Sequence, residues 1–211
     1  MSSIPKVRFS GFVKEWELCR LGDVGEFKSN GVDKKIHSAE TPVNLLNYMD
    51  VYKRRIVTSQ NCGDLMQVTA KTTQIKENNI EANDVFFTPT SETAEDIGHV
   101  MVIEETLENT VYSYHLMRYR PNKNAFYSTF PNYGFATDFV RKQMSIAAQG
   151  VQRFVINKEG FESLKVPCPT YEEQKRISEM LGKLDKLISL YQCKLEKLKQ
   201  LKQSMLHNMF V

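Results

Sequence analysis

The sequence lacks the signatures of a secreted, membrane-spanning or metal-binding protein. Its four cysteines, Cys19, Cys62, Cys168 and Cys193, are scattered. None stands in a Cys-x-x-Cys pair or beside clustered histidines, which speaks against a zinc site and a disulfide framework. Isolated thiols of this kind read as reduced, which points to a cytoplasmic protein. No apolar run reaches the roughly 18 residues a membrane span needs. The opening residues carry Lys6 and Arg8 with no apolar segment behind them, so no secretory leader is expected. Catalytic motifs are missing too. There is no GxxxxGK[ST], GxGxxG, GxSxG, HExxH or zinc-deaminase pattern, and no aromatic-flanked Asn/Asp-Pro-Pro motif for gripping a flipped base. Asp23 with Glu26-Phe27-Lys28 is the one faint echo of a nuclease carboxylate set. The histidines, His37, His99, His115 and His207, have no local metal spacing, and His115 reads as a hydrogen-bonded structural residue. Neither a catalytic residue nor a metal ligand is therefore expected.

What is present is ordinary globular material, with 41% hydrophobic and 25% charged residues over a length of 211. The net charge of +3 is small, but charge is segregated along the chain. Residues 28–76 hold eight basic and four acidic groups, residues 77–108 hold nine acidic and no basic ones, and residues 109–169 hold eight basic and three acidic. A domain that balances overall can still present a basic face if its acidic stretch folds away from it.

Short β-like runs fall at residues 43–48, 55–58, 84–88, 100–103 and 110–119, separated by Asn, Gly, Asp and Pro. Leu18, Leu21 and Val24 have helical spacing, residues 132–148 read as a helix closed by Gly150, and residues 152–156 as β-like. Asn157 can cap a short helix over 158–163, and residues 166–169 form an extended connector because residues before proline avoid helical angles. From Thr170 the character changes. Thr170 and Glu173 have the spacing of a capping box. Ile177, Leu181, Leu184, Ile188, Tyr191, Leu195 and Leu198 then follow in unbroken 4-3-4-3-4-3 spacing, the seam of a coiled coil. Leu201, Met205 and Met209 continue the stripe past Lys202, and no proline occurs from Tyr171 onward. A lone amphipathic rod cannot bury its seam, so a partner helix is expected. The expected fold is α+β: a mixed α/β domain with a small twisted sheet over residues 1–169, then one long coiled-coil helix over 170–211.

Four polar clusters are candidate ligand contacts. Thr88, Thr90 and Ser91 lie on a hydroxyl-rich loop after an apolar strand, where they suit phosphates or base edges; in the plainer account Ser91 caps a short helix starting at Glu92. Gln149, Gln152 and Arg153 could fork onto adenine and guanine, or simply face water. Lys28 and Asn30 with Lys34 and Lys35 form the third cluster, and Lys53 with Arg54 and Arg55 the fourth; basic groups there would mostly meet phosphates.

These segments in this order resemble the specificity subunit of type I restriction-modification enzymes. The opening Pro5-Lys-Val-Arg-Phe-Ser-Gly-Phe12, Trp16-Glu-Leu and Leu21-Gly-Asp23 are similar to the start of its target recognition domain, and residues 83–93 to its strand-loop motif. Residues 166–174 with Ile177, Leu184, Asp185 and Ile188 resemble the opening of its helical spacer, and Leu198 to Phe210 its close. The resemblance implies a non-catalytic subunit that reads double-stranded DNA. Modification subunits would carry S-adenosylmethionine and methylate adenine, and a restriction subunit would use ATP and Mg2+. The family's usual subunit holds two recognition domains and two spacer helices, whereas one of each is found here. This implies a natural half-subunit, or a piece of a longer one, that pairs as a homodimer through antiparallel helices and reads a bipartite target. The rival is an interaction or antagonist protein that binds modification subunits through the coiled coil without reading DNA.

Overall fold

The computed structural model describes residues 5–210; residues 1–4 and 211, the outer ends of the two expected domains, lie outside the described residues. Two four-stranded sheets organise the domain, more than the one small sheet expected. The first holds β2 (Gly25–Lys28), β10 (Met117–Pro121), β6 (Val85–Phe87) and β8 (Val100–Val102) in that order, all antiparallel. The second holds β4 (Met66–Ala70), β3 (Thr41–Leu46), β9 (Leu107–Tyr112) and β5 (Asn79–Ile80), with β3 and β9 parallel. Two pairs complete the strands. β1 (Glu17–Arg20) joins β12 (Lys165–Cys168), and β7 (Thr90–Ser91) joins β11 (Phe154–Val155).

The two-residue period of strands explains the layering. In β6, Val85 and Phe87 face one apolar cluster and Phe86 another; in β8, Val100 and Val102 share the first cluster and Met101 the second. In the other sheet Leu46 and Tyr112 join that second, central cluster, while Leu45 and Val111 point to a third. The central layer lies between the sheets. The first sheet's outer face is covered by α3 (Pro131–Gly134), α4 (Asp138–Ala147) and α5 (Lys158–Ser163), which deliver Phe135, Val140, Met144 and Phe161. Phe87 sits among the rings of Phe27, Phe135 and Phe161 at centroid distances of 6.0, 6.1 and 5.0 Å.

Several expectations are corrected. The run 110–119 is not one strand: β9 ends at Tyr112 and β10 begins at Met117, because the two serve different sheets and the chain must turn at Ser113–Leu116. Residues 55–58 form no strand; Ile56 is exposed, and the Asn61 side chain accepts from the Thr58 N–H and donates to the Ile56 carbonyl. Residues 132–148 split into α3 and α4 at Thr137, which is extended. Leu18, Leu21 and Val24 lie on β1, a 3-10 turn and the residue before β2, since β1 is claimed by pairing with β12. No helix begins at Glu92; Ser91 instead accepts from the Thr93 N–H within a turn. The Asn157 cap forms as expected and accepts from the Gly160 N–H.

α6 (Tyr171–Met209) is a single helix of 39 residues, about 58 Å long at 1.5 Å per residue. Thr170 caps it by accepting from the Glu173 N–H at 3.4 Å. Glu173 does not close the expected capping box. Its buried carboxylate accepts instead from Arg8 Nε at 2.7 Å, Arg8 Nη2 at 2.8 Å and Trp16 Nε1 at 3.1 Å. Gln174 accepts from the Tyr127 N–H and donates to the Pro169 carbonyl, and the Tyr133 hydroxyl donates to Asp185. Ile177 packs on the domain's own core. Beyond that root the helix projects, and Leu184, Ile188, Tyr191, Leu195 and Leu198 are 47–65% exposed.

Phe87 tests this packing. Phe87→Ala should cost about 3–5 kcal/mol of unfolding free energy, read from the urea midpoint at unchanged slope.

Candidate nucleic-acid interface

The candidate contacts converge because the strands end together. β2, β3, β6 and β9 all leave their sheets at one end, while β8 and β10 enter there. The registers Lys28↔Arg118, Met117↔Phe87, Phe87↔Val100 and Leu46↔Tyr112 fix this. Onto that end fall the loop after Lys28, the helix α1 (Tyr48–Tyr52), the loop after Phe87, residue His99 and the turn after Tyr112. The segment 149–153 is brought in by β7–β11 pairing, with Val155 opposite Thr90 and Phe154 opposite Ser91. Gln149 also exchanges both backbone bonds with Val155.

Of the three candidate loop hydroxyls, only Thr90 stands near the surface. Thr88 is 0% exposed; its Oγ1 accepts from the His99 N–H at 2.9 Å, which binds the loop to β8. Ser91 is 7% exposed. Neither is open to a ligand in this conformation: Thr88 is bonded to β8, and Ser91 lies in β7, paired with β11. Thr90 Oγ1 accepts from Arg153 Nη2 at 3.2 Å, and the Thr90 carbonyl accepts from the Tyr48 hydroxyl at 2.8 Å. Arg153, Gln149 and Gln152 are exposed.

Asn30 accepts from the Tyr112 hydroxyl at 3.3 Å, which ties its loop to β9. Gly31 makes this possible: a Cβ there would come within 2.5–2.6 Å of the Ser113 and Tyr112 backbone, closer than any side chain tolerates. Lys34 and Lys35 are exposed beside it, and Lys35 pairs with Asp33 at 2.7 Å. Lys28 lies 3.8 Å from Glu26. Arg54 and Arg55 do not join the face on the same footing. Arg55 pairs with Asp50 at 3.3 Å, and Arg54 lies within electrostatic reach of Tyr133, the residue bonded to the root of α6.

Residues that sequence reasoning passed over fill the gaps. The Tyr48 and Tyr52 rings stack at 5.9 Å, and Tyr52 meets the His99 ring at 4.4 Å. Asp96 accepts from the Tyr52 hydroxyl at 3.0 Å and lies 2.9 Å from His99 Nε2. The His99 hydrogen bond holds the Asp96 carboxyl below its usual range. The signal was available as tyrosines one helical turn apart behind an Asn47/Asp50 capping box, which does form. Tyr114 and His115 occupy the turn after β9, their ring centroids 3.9 Å apart. Burial, and then the nearby positive charges of Lys34 and Arg153, push the His115 imidazole below its ordinary value. Two clusters far apart in sequence thus act on one ring.

The acidic stretch does not fold away as a block. β6 carries it across the sheet, so Asp84 and Glu81 pair with Arg120 at the far end, while Glu92 and Asp96 stay close enough to act on Tyr48. Among the described residues, no group of three or more His, Cys, Asp and Glu could hold a metal ion, and no helix is long and apolar enough to cross a membrane.

Comparison with known proteins identifies the family and the fold. Residues 13–200 match the family model described as type I restriction modification DNA specificity domain. A protein of Methanocaldococcus jannaschii named "Putative type I restriction enzyme MjaX specificity subunit" is 26% identical over 209 residues, covering 97% of this chain and 48% of the relative. The S subunit of a type I restriction-modification system from M. genitalium superimposes over 98% of this chain with TM-score 0.62 at 13% identity. The HsdS subunit of Thermoanaerobacter tengcongensis superimposes over 99% with TM-score 0.54 at 15% identity. The chain spans about half the length of these proteins, 47–48% of each.

The shared field at His115 is measurable. In an NMR titration its imidazole should protonate below the ordinary value of 6.5, and Lys34→Gln should move the midpoint upward, since removing a nearby cation eases protonation. An unmoved midpoint would separate the lysine loop from the turn.

Proposed function

The chain belongs to the type I restriction modification DNA specificity domain family, and on that premise we propose that it is a sequence-specific DNA-recognition subunit reading one half of a bipartite target. The observation that carries this is the convergence of Lys28, Lys34, Lys35, Thr90 and Arg153 on one end of two stacked sheets, in a domain from which α6 projects as a rod. The cations supply phosphate contacts that hold register, and Arg153 with Gln149 and Gln152 supplies groups able to fork onto base edges. Thr88 and Ser91 shape the loop that presents Thr90. In this reading residues 1–169 are the recognition domain and residues 170–211 the spacer that docks onto partners. Adenine methylation and restriction belong to modification and restriction subunits, which would bring S-adenosylmethionine, ATP and Mg2+.

The proposed homodimer follows from the stripe on α6. Leu184, Ile188, Tyr191, Leu195 and Leu198 stand in seam register and are uncovered in the single chain. Two copies pairing antiparallel would set two reading faces at opposite ends of one strut, and a two-fold assembly reads a two-fold target at fixed spacing. Leu181 continues the seam toward the root, while Ile177 is already covered by its own domain.

Two outcomes are expected. Leu184→Asp with Ile188→Asp should leave monomers in sedimentation while the domain stays folded; intact dimers would remove the strut from the mechanism. The cognate site is found by mapping methylated adenines in cells carrying this chain with a modification subunit. At that site Arg153→Ala should cost about 1–3 kcal/mol of binding. Absence of salt-dependent binding to any duplex, even with modification subunit present, would favour a protein that only occupies partner subunits.

A further inference from the structure

Four tyrosines lie on or under the face just described, and three have their hydroxyls engaged. Tyr48 donates to the Thr90 carbonyl, Tyr52 to Asp96 and Tyr112 to Asn30. Tyr114 differs. It is 47% exposed, and its ring contact is with the neighbouring imidazole of His115. The turn that carries it is stiff. Ser113 Oγ accepts from the His115 N–H, the Leu116 N–H bonds to the Ser113 carbonyl, and the Asn30–Val32 loop is clamped on through Val32 N–H to Tyr112 O and Tyr114 N–H to Val32 O. An aromatic ring held outward on a rigid turn keeps a hydrated apolar surface that costs free energy until something covers it.

The surroundings say what covers it. Lys34 and Arg153 lie close enough to act on His115, and Lys35 on Tyr114; the one carboxylate in reach of His115, Asp33, is paired with Lys35. A ligand meeting that ring must therefore be anionic at its periphery and apolar at the point of contact. A duplex has this layout, with phosphates outside and base surfaces or the thymine C5-methyl inside the major groove. Resting on the DNA-recognition reading, we propose that Tyr114, braced by His115, is a base-contacting residue that sets sequence preference, while Lys34 and Lys35 set register through phosphates.

The two roles separate in one experiment. The full chain, with and without modification subunits, is offered a pool of duplexes randomised in sequence, and affinities for the enriched sequence and for random duplex are compared. Tyr114→Ala should lower the ratio of the two by about tenfold, the size of losing one good base contact, and should broaden the preference at one or two adjacent base pairs. Tyr114→Phe keeps the ring and should keep the ratio. The double variant Lys34→Ala/Lys35→Ala should weaken both affinities together and flatten the salt dependence. Unchanged selection by Tyr114→Ala, with wild-type selection intact, overturns the assignment of Tyr114 and leaves DNA recognition standing. A wild-type chain that enriches no sequence overturns both. Loss of modification-subunit binding by Tyr114→Ala, with sequence preference unaltered, would make the ring a protein contact and overturns the base-reading role.

Discussion

The structure turns on one buried carboxylate. Glu173, 0% exposed, lies in the first turn of α6, yet its partners come from the other end of the chain: both nitrogens of the Arg8 fork and the Trp16 indole. Burying a carboxylate is costly unless it is paired and fully hydrogen-bonded, and here three donors converge on two oxygens. The consequence is geometric. A helix attached only through Thr170 could swing about its first residue. A helix whose third and fourth residues, Glu173 and Gln174, are bonded to the N-terminal segment and to Tyr127, and which Tyr133 holds again at Asp185, leaves the domain in one direction. Arg176 over the Phe12 ring at 5.5 Å adds a further fastening on the same side.

Sequence periodicity showed the helix because its signal is local: seven apolar residues in strict order, a capping threonine and no proline. What it did not show is that Ile177, the first of the seven, is covered by the parent domain, or that Glu173 forgoes its local capping partner. Both are decided by contacts outside the helix, for Glu173 with residues more than a hundred positions away. The sheets were legible only in pieces for a related reason. β6 and β8 stand out as apolar runs, but a period-two pattern cannot say that 110–119 must break between sheets. It also cannot find β4 or α2 (Thr72–Glu77), whose pairing and packing rather than composition make them elements.

The candidate face was legible as four clusters and not as one surface. Lys28 to Lys35, Thr88 to Ser91 and Gln149 to Arg153 meet because strand ends are brought level by register, a property no single segment carries. Within the loop, sequence reasoning could not rank the hydroxyls. Thr88 and Ser91 are both buried, one hydroxyl holding β8 and the other held in a turn, while Thr90 between them reaches Arg153. The aromatic residues went unremarked because Tyr48, Tyr52 and Tyr114 are as common in cores as on ligand faces. Only exposure and neighbours tell them apart.

The projecting part of α6 then limits how the whole can be assembled. Its apolar residues are not confined to the seam: Leu187, Leu190, Leu201, Met205 and Leu206 are also 49–62% exposed. At 100° per residue these widen the apolar sector to nearly half the helix, broader than the stripe a two-stranded coil buries. Residues 183–210 also carry six lysines against Asp185 and Glu196. In the proposed antiparallel pair, like charge from the twin would sit alongside, and the flank at Leu187, Leu190 and Leu201 would stay uncovered. A second helix seated on that flank, with acidic residues facing the lysines, would relieve both conditions at once. On the single chain that flank and its lysines stay open to solvent, and Glu173 fixes the angle at which α6 leaves its domain.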